Sequence, residues 1–151
     1  MERYDSQMAA RVWQRVQGSG AAEDPLAGLL VCLQEELTDI QRYSQLSNTL
    51  GSTAKPTLQQ LIKATQQCVA ILYGIHRLLT DTVPEVKPFP LPKELPVSSL
   101  RRCYGTTLNR VARYEHWCSH PEYSPGFLKL TDLSRECCQL LLQLLGILRT
   151  A

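Results

Sequence analysis

The chain has 151 residues, 44% apolar and 20% charged, an ordinary globular composition that at about 100–200 residues per domain predicts one compact domain with at most a short appendage. Sixteen basic against fourteen acidic side chains leave a net charge of +2, which excludes a clustered basic nucleic-acid binder and a charged disordered tail. No apolar run approaches the roughly 18 residues of a membrane span, and the charged start Met1-Glu2-Arg3-Tyr4-Asp5 lacks the apolar stretch of a secretory signal, so the expectation is a cytoplasmic protein with no membrane and no nucleic-acid partner.

Residues 5–17 place Met8, Ala9, Val12, Trp13 and Val16 on one side of a short helix, which predicts packing against the outside of the main domain or against a partner chain. Gly18-Ser19-Gly20-Ala21-Ala22 is a flexible break, so 1–24 reads as an N-terminal appendage and 25–151 as the domain proper. Segments 25–50 and 56–80 have helical length and are separated by Gly51-Ser52-Thr53-Ala54-Lys55-Pro56, with Pro56 suited to a first helical position. Five prolines at 84, 88, 90, 92 and 96 forbid a helix at about 81–96 and predict an extended crossover. Segments 97–119 and 125–149 are again helical, with Ser124 and Pro125 as helix-start residues. No segment alternates with period two, so no strand is expected.

Each long segment carries an apolar stripe at alternating steps of three and four. The stripes run from Leu29 through Glu36 and Tyr43, from Leu58 through Thr65 and Cys68, from Leu100 through Thr107 and Tyr114, and from Phe127 through Ser134 and Cys137. Such stripes are the seams of bundle helices, and four of them with one long crossover predict an all-α antiparallel four-helix bundle. The halves also repeat. A shift of 71 sets Leu37 on Leu108, Ile40 on Val111, Arg42 on Arg113 and Tyr43 on Tyr114, and a shift of 69 sets Leu61 on Leu130, Cys68 on Cys137 and Leu72 on Leu141. The bundle therefore reads as two related helical hairpins.

The repeat brings Glu36, Thr65, Cys68, Thr107, Ser134 and Cys137 to one interior level: one residue from the first helix of each hairpin and an i, i+3 pair from the second. Residues at i and i+3 share a helix face, and carboxylate-bridged di-metal bundles place their ligands in this arrangement. With the Glu36/Tyr43 spacing and its echo at Thr107/Tyr114, the paired Thr65/Cys68 and Ser134/Cys137, and the Arg11-Val12-Trp13-Gln14-Arg15-Val16-Gln17 start, the chain resembles the ferritin-like superfamily, in its bacterial rubrerythrin-type branch, over 25–149. The resemblance implies a ferritin-like bundle with Glu at 36, 65, 107 and 134, His at 68 and 137, and Tyr43 and Tyr114 as supporting residues. This chain keeps Glu36 alone. One carboxylate does not neutralise two iron ions, so the expectation is a degenerate, non-catalytic member without cofactor, serving a structural or interaction role.

Three occupants of the layer stay open. A protonated Glu36 could bond Tyr114, Thr65 or Ser134 in a closed polar network; Glu36, Cys68 and Cys137 could bind one soft ion such as zinc, with metal-handling or oxidoreductase activity; or Cys68 and Cys137 could pair as a disulfide, which the 8–10 Å spacing of helices opposes. The six cysteines, at 32, 68, 103, 118, 137 and 138, read as small buried hydrophobes. His76 falls off the seam and reads as a surface or interface histidine, and His116, Cys118 and His120 as an ordinary helix end. Glu35 is expected to face solvent or an arginine. The last helix is apolar almost all round, which predicts cover from the N-terminal segment or from a second copy in a homodimer; an intact ferritin-like paralogue is the other partner the resemblance suggests.

Overall fold

A computed structural model describes residues 25–150; the expected helix at 5–17 and the break at 18–22 lie outside the described residues. The described chain is an all-α four-helix bundle of α1 (Pro25–Thr49), α2 (Lys55–Thr80), α3 (Pro96–Trp117) and α4 (Ser124–Thr150), with no strand among the described residues. Prolines sit where a missing N–H costs nothing: Pro56 and Pro96 fall at the starts of α2 and α3. The α2 terminus is capped by Asp81, whose left-handed backbone (φ 57°, ψ 25°) aspartate tolerates better than most residues and whose N–H closes on the Arg77 carbonyl at 2.7 Å.

The crossover fixes the topology. Gln34 donates to the Lys87 carbonyl (2.9 Å), the Phe89 N–H donates to Thr38 Oγ1 (2.9 Å), and Arg42 Nη1 meets Glu94 Oε1 (2.8 Å). Residue numbers rise together on both sides, so the connector runs along α1 in the same direction. At about 3.1 Å per residue, 81–95 spans roughly 45 Å, enough to return the full length of the 26-residue α2, which is about 39 Å. Next, α3 descends antiparallel to α1, from Arg42–Ser99 (3.0 Å) to Glu36–Tyr114 (3.1 Å), and α4 rises antiparallel to α3, with Cys118 beside Thr131 and Glu115 beside Arg135.

Leu33, Leu58, Leu61, Leu72, Leu100, Leu130, Leu141 and Leu144 form the core, with Tyr43, Tyr114 and Trp117 among them. The Trp117 ring lies 5.6 Å from Phe127 and 6.1 Å from Tyr114. The pairs α1/α2, α3/α4 and α2/α4 pack closely, whereas α1 and α3 pack less closely than these three. The space between α1 and α3 is filled by long polar side chains instead, and that gap holds the site. No helix among the described residues is long and apolar enough to cross a membrane.

Candidate functional site: a buried charge layer

All six residues of the interior level are buried, and each touches another member or a shared neighbour. Thr65 Oγ1 donates to the Leu61 carbonyl (2.7 Å) and lies 3.9 Å from Cys137 Sγ. The Cys68 thiol lies within interaction range of Glu36 and Ser134. Thr107 Oγ1 donates to the Cys103 carbonyl (2.7 Å) and accepts from Arg110 Nη2 (3.2 Å). Hydroxyls whose hydrogens return to the carbonyl one turn back keep only neutral acceptor capacity toward the centre, which Thr107 turns to Arg110. All six cysteines, Cys68 and Cys137 included, are free thiols.

Of the two supporting tyrosines, Tyr114 donates its hydroxyl to Glu36 Oε2 at 3.1 Å. Tyr43 is buried beside Asp39 and Cys103, whose charges bear on its phenol. Burial raises both phenols well above the ordinary tyrosine range, so both remain protonated donors.

The centre of the layer is a residue that the sequence reading passed over. Arg110 of α3 is 2% exposed, and its Nη2 lies 2.6 Å from Asp39 Oδ2 and 3.1 Å from Glu36 Oε1, while Nη1 lies 3.4 Å from Glu35 Oε1. The expectation of a Glu36 lacking any cation is corrected here: a guanidinium stands beside it. Burial works against the charge of Arg110, but the carboxylates of Glu36 and Asp39 more than offset this and hold its pKa above the ordinary arginine value. Burial raises Glu36 and Asp39 too, with Arg110 pulling both the other way. The arginine Nε is the one buried side-chain nitrogen or oxygen among the described residues without a hydrogen-bond partner. The fork is thus oriented by its Nη groups alone.

A second ionic stitch lies nearer the crossover. Glu94 bridges Arg42 (2.8 Å) and Arg102 (3.1 Å) and ties the end of the connector to α1 and α3. Beside it a cleft of about 250 Å³ opens under the proline-rich crossover, its lining including Asp39, Arg42, Phe89, Pro92, Cys103 and Thr106.

Arg110 was within reach of the sequence. The shift of 71 that aligns Tyr43 with Tyr114 also carries Asp39 onto Arg110, a charge reversal at equivalent positions. Both stand three residues from the layer, after Glu36 and Thr107, and therefore on the same helix face. His76 also departs from expectation. It is 6% exposed, with Nδ1 3.2 Å from Thr80 Oγ1 and 3.3 Å from the Thr82 carbonyl, because the Asp81 turn folds the chain back over it. Glu35 meets Arg110, and Cys118 ends α3 with its thiol on the Tyr114 carbonyl (3.2 Å).

Among the described residues no group of three or more histidine, cysteine, aspartate or glutamate side chains is arranged to hold a metal ion. No protein-family model, no curated protein and no solved structure matches this chain.

Proposed function

We propose that the chain is a degenerate ferritin-like bundle in which an internal guanidinium stands where carboxylate-bridged bundles hold metal, and that it acts as a structural or interaction module and not as an enzyme. The observation that carries this reading is the position of Arg110 between Asp39 (2.6 Å), Glu36 (3.1 Å) and Thr107 (3.2 Å). Both Glu36 oxygens are engaged, one by Arg110 and one by Tyr114. A dication bound to them would face a cation that does not deprotonate.

The remaining donors fit two iron ions no better. Thr65, Thr107 and Ser134 are neutral. Metal binding needs thiolates, and burial pushes Cys137 up to about 12 and Cys68 higher still. The donor set does not fit a di-iron centre, and no chemical step is assigned to one.

The test is elemental analysis and titration with ferrous iron and zinc on tag-free protein. Sub-stoichiometric metal, unchanged by Cys68→Ala/Cys137→Ala, is the expected result. A stoichiometric ion lost in that double variant would replace this reading with the single-ion site at Glu36, Cys68 and Cys137.

A further inference from the structure

The cleft under the crossover has two electrical ends. Its volume of about 250 Å³ falls just below the range of drug-sized ligand pockets, so it suits a smaller molecule. At one end Arg42 and Arg102 share a single carboxylate, Glu94, at 2.8 and 3.1 Å. No other carboxylate pairs with either among the described residues, which leaves one positive charge in excess. Two turns back along α1, about 10 Å at 1.5 Å per residue, the other end carries Glu35 and Asp39, whose partner Arg110 stands behind the wall at 3.4 and 2.6 Å. Phe89, 45% exposed, and Pro92 add an apolar side from the crossover.

Arg42 is 5% exposed, yet only part of its fork is used. Nη1 donates to Glu94 Oε1 (2.8 Å) and to Ser99 Oγ (3.0 Å). Nη2 and Nε, which carry the rest of its donors, have no hydrogen-bond partner among the described residues. They are not sealed in protein either, as the Arg110 Nε is. The space they open to is the cleft, whose wall Arg42 forms. The Nη2–Nε edge of a guanidinium presents two parallel N–H groups that match the two oxygens of a carboxylate, and a largely desolvated donor holds such an acceptor more firmly than a surface one. A single carboxylate also matches the single excess charge. A second anionic group on the same ligand would be carried toward Glu35 and Asp39 and repelled there, and a phosphate group brings more than one charge near neutrality.

We propose that the cleft binds a small monocarboxylate with an apolar body. The carboxylate accepts from the Nη2–Nε edge of Arg42 with Arg102 beside it, and the body lies along Phe89 and Pro92 with an uncharged far end. None of the six residues of the interior layer takes part, so the inference stands or falls separately from the proposed function.

The experiment uses the full chain and benzoate as the probe, titrated at pH 7 and low salt while backbone amide signals are followed by NMR. Saturable shifts at residues lining the cleft are expected, with a Kd of about 1 mM for a ligand this small. Benzamide, terephthalate and inorganic phosphate should each bind at least fivefold more weakly. Arg102→Gln, at a side chain that is 59% exposed, should weaken benzoate at least threefold, and Arg42→Lys, which keeps the charge and loses the fork, at least tenfold, both with unchanged helical circular dichroism. Should Arg42→Lys not fold, Arg102→Gln and the probe series decide alone. Absence of saturable shifts, shifts away from the cleft, or undiminished binding to Arg102→Gln overturns the proposal. Terephthalate or phosphate binding as tightly as benzoate overturns the assignment to a monocarboxylate, and benzamide doing so overturns the role of the arginines.

Discussion

Replacing Arg110 by methionine keeps most of the side chain's length and removes its charge, leaving Glu36 and Asp39, 2% and 5% exposed, without their cation. At an effective dielectric of about 20, unit charges about 4 Å apart attract by roughly 4 kcal/mol, and breaking a buried pair from one side costs about 3–5 kcal/mol. A loss of about 3–5 kcal/mol at pH 7 is therefore expected for Arg110→Met, a large part of the 5–15 kcal/mol typical of a domain. Urea unfolding followed by circular dichroism measures it.

The pH dependence gives a second reading of the same quantity. Burial raises Glu36 and Asp39 in the folded state from ordinary values of 4.5 and 3.8. The stability tied to their protonated forms is thus complete below those values and is lost as pH rises through the folded-state pKa. Without Arg110 both rise further, so the variant should recover much of its deficit near pH 4.5. In the Glu36→Gln/Asp39→Asn background, Arg110→Met should cost far less, because no buried anion is left behind. A cost below about 1 kcal/mol in the wild-type background, or the same cost in both backgrounds, would refute the assignment of Arg110 as the balancing charge of the layer.

Glu36→Gln removes one of the two fully buried carboxyls at Arg110 and leaves Asp39 and the more exposed Glu35 as its partners, so the decline of the unfolding midpoint from pH 5 to pH 8 should be shallower than in wild type; an unchanged slope counts against a raised Glu36. Of the six thiols, Cys118 alone is not fully buried, so about one equivalent should react quickly with a disulfide reagent at pH 8 and the rest only on unfolding; fast reaction of Cys68 or Cys137 contradicts the packing. Gly105 lies exposed within α3 with nothing near its absent Cβ, so Gly105→Ala should stabilise by about 0.5–1 kcal/mol through helix propensity in a thermal melt. Glu94→Ala unties Arg42 and Arg102 from the crossover and should cost about 1.5–3 kcal/mol, with hydrogen exchange rising at Lys87 to Leu95 before it rises in the helices.

The fold was legible because its determinants are periodic. Leucines at steps of three and four, prolines at 84, 88, 90, 92 and 96, and the glycine and serine turns give helix number, ends and crossover with little interference from one another. The burial of Glu36, Thr65, Cys68, Thr107, Ser134 and Cys137 follows from the same seam phase. Arg110 was not legible by that route. An apolar-stripe search skips charged residues, and α3 carries several arginines, of which Arg102 and Arg110 have opposite fates: one is 59% exposed at its side chain and the other 2%. Side-chain reach decides between them, since Arg110 stands one turn from Thr107 and opposite Asp39, while Arg102 lies nearer the crossover. His76 was misread for a related reason. What buries it is the left-handed turn at Asp81, a single-residue event that periodicity does not encode.

The reversal of charge between Asp39 and Arg110 bears on how two similar hairpins make one bundle. If both copies of this position carried a carboxylate, like charges would meet between α1 and α3, and one of them would have to take up a proton or an outside cation. With arginine in one copy, the counter-charge belongs to the chain, and the pair closes on folding without any ligand. The same change makes the hairpins non-interchangeable. A second copy of the first hairpin set in place of the other would put Asp39 against Asp39, and a second copy of the other would put Arg110 against Arg110, each a buried like-charge contact. Buried ion pairs of this kind add little net stability over an apolar replacement. What the Asp39–Arg110 contact at 2.6 Å selects is the partner: first hairpin with second, in the register where Glu36 and Thr107 share one guanidinium.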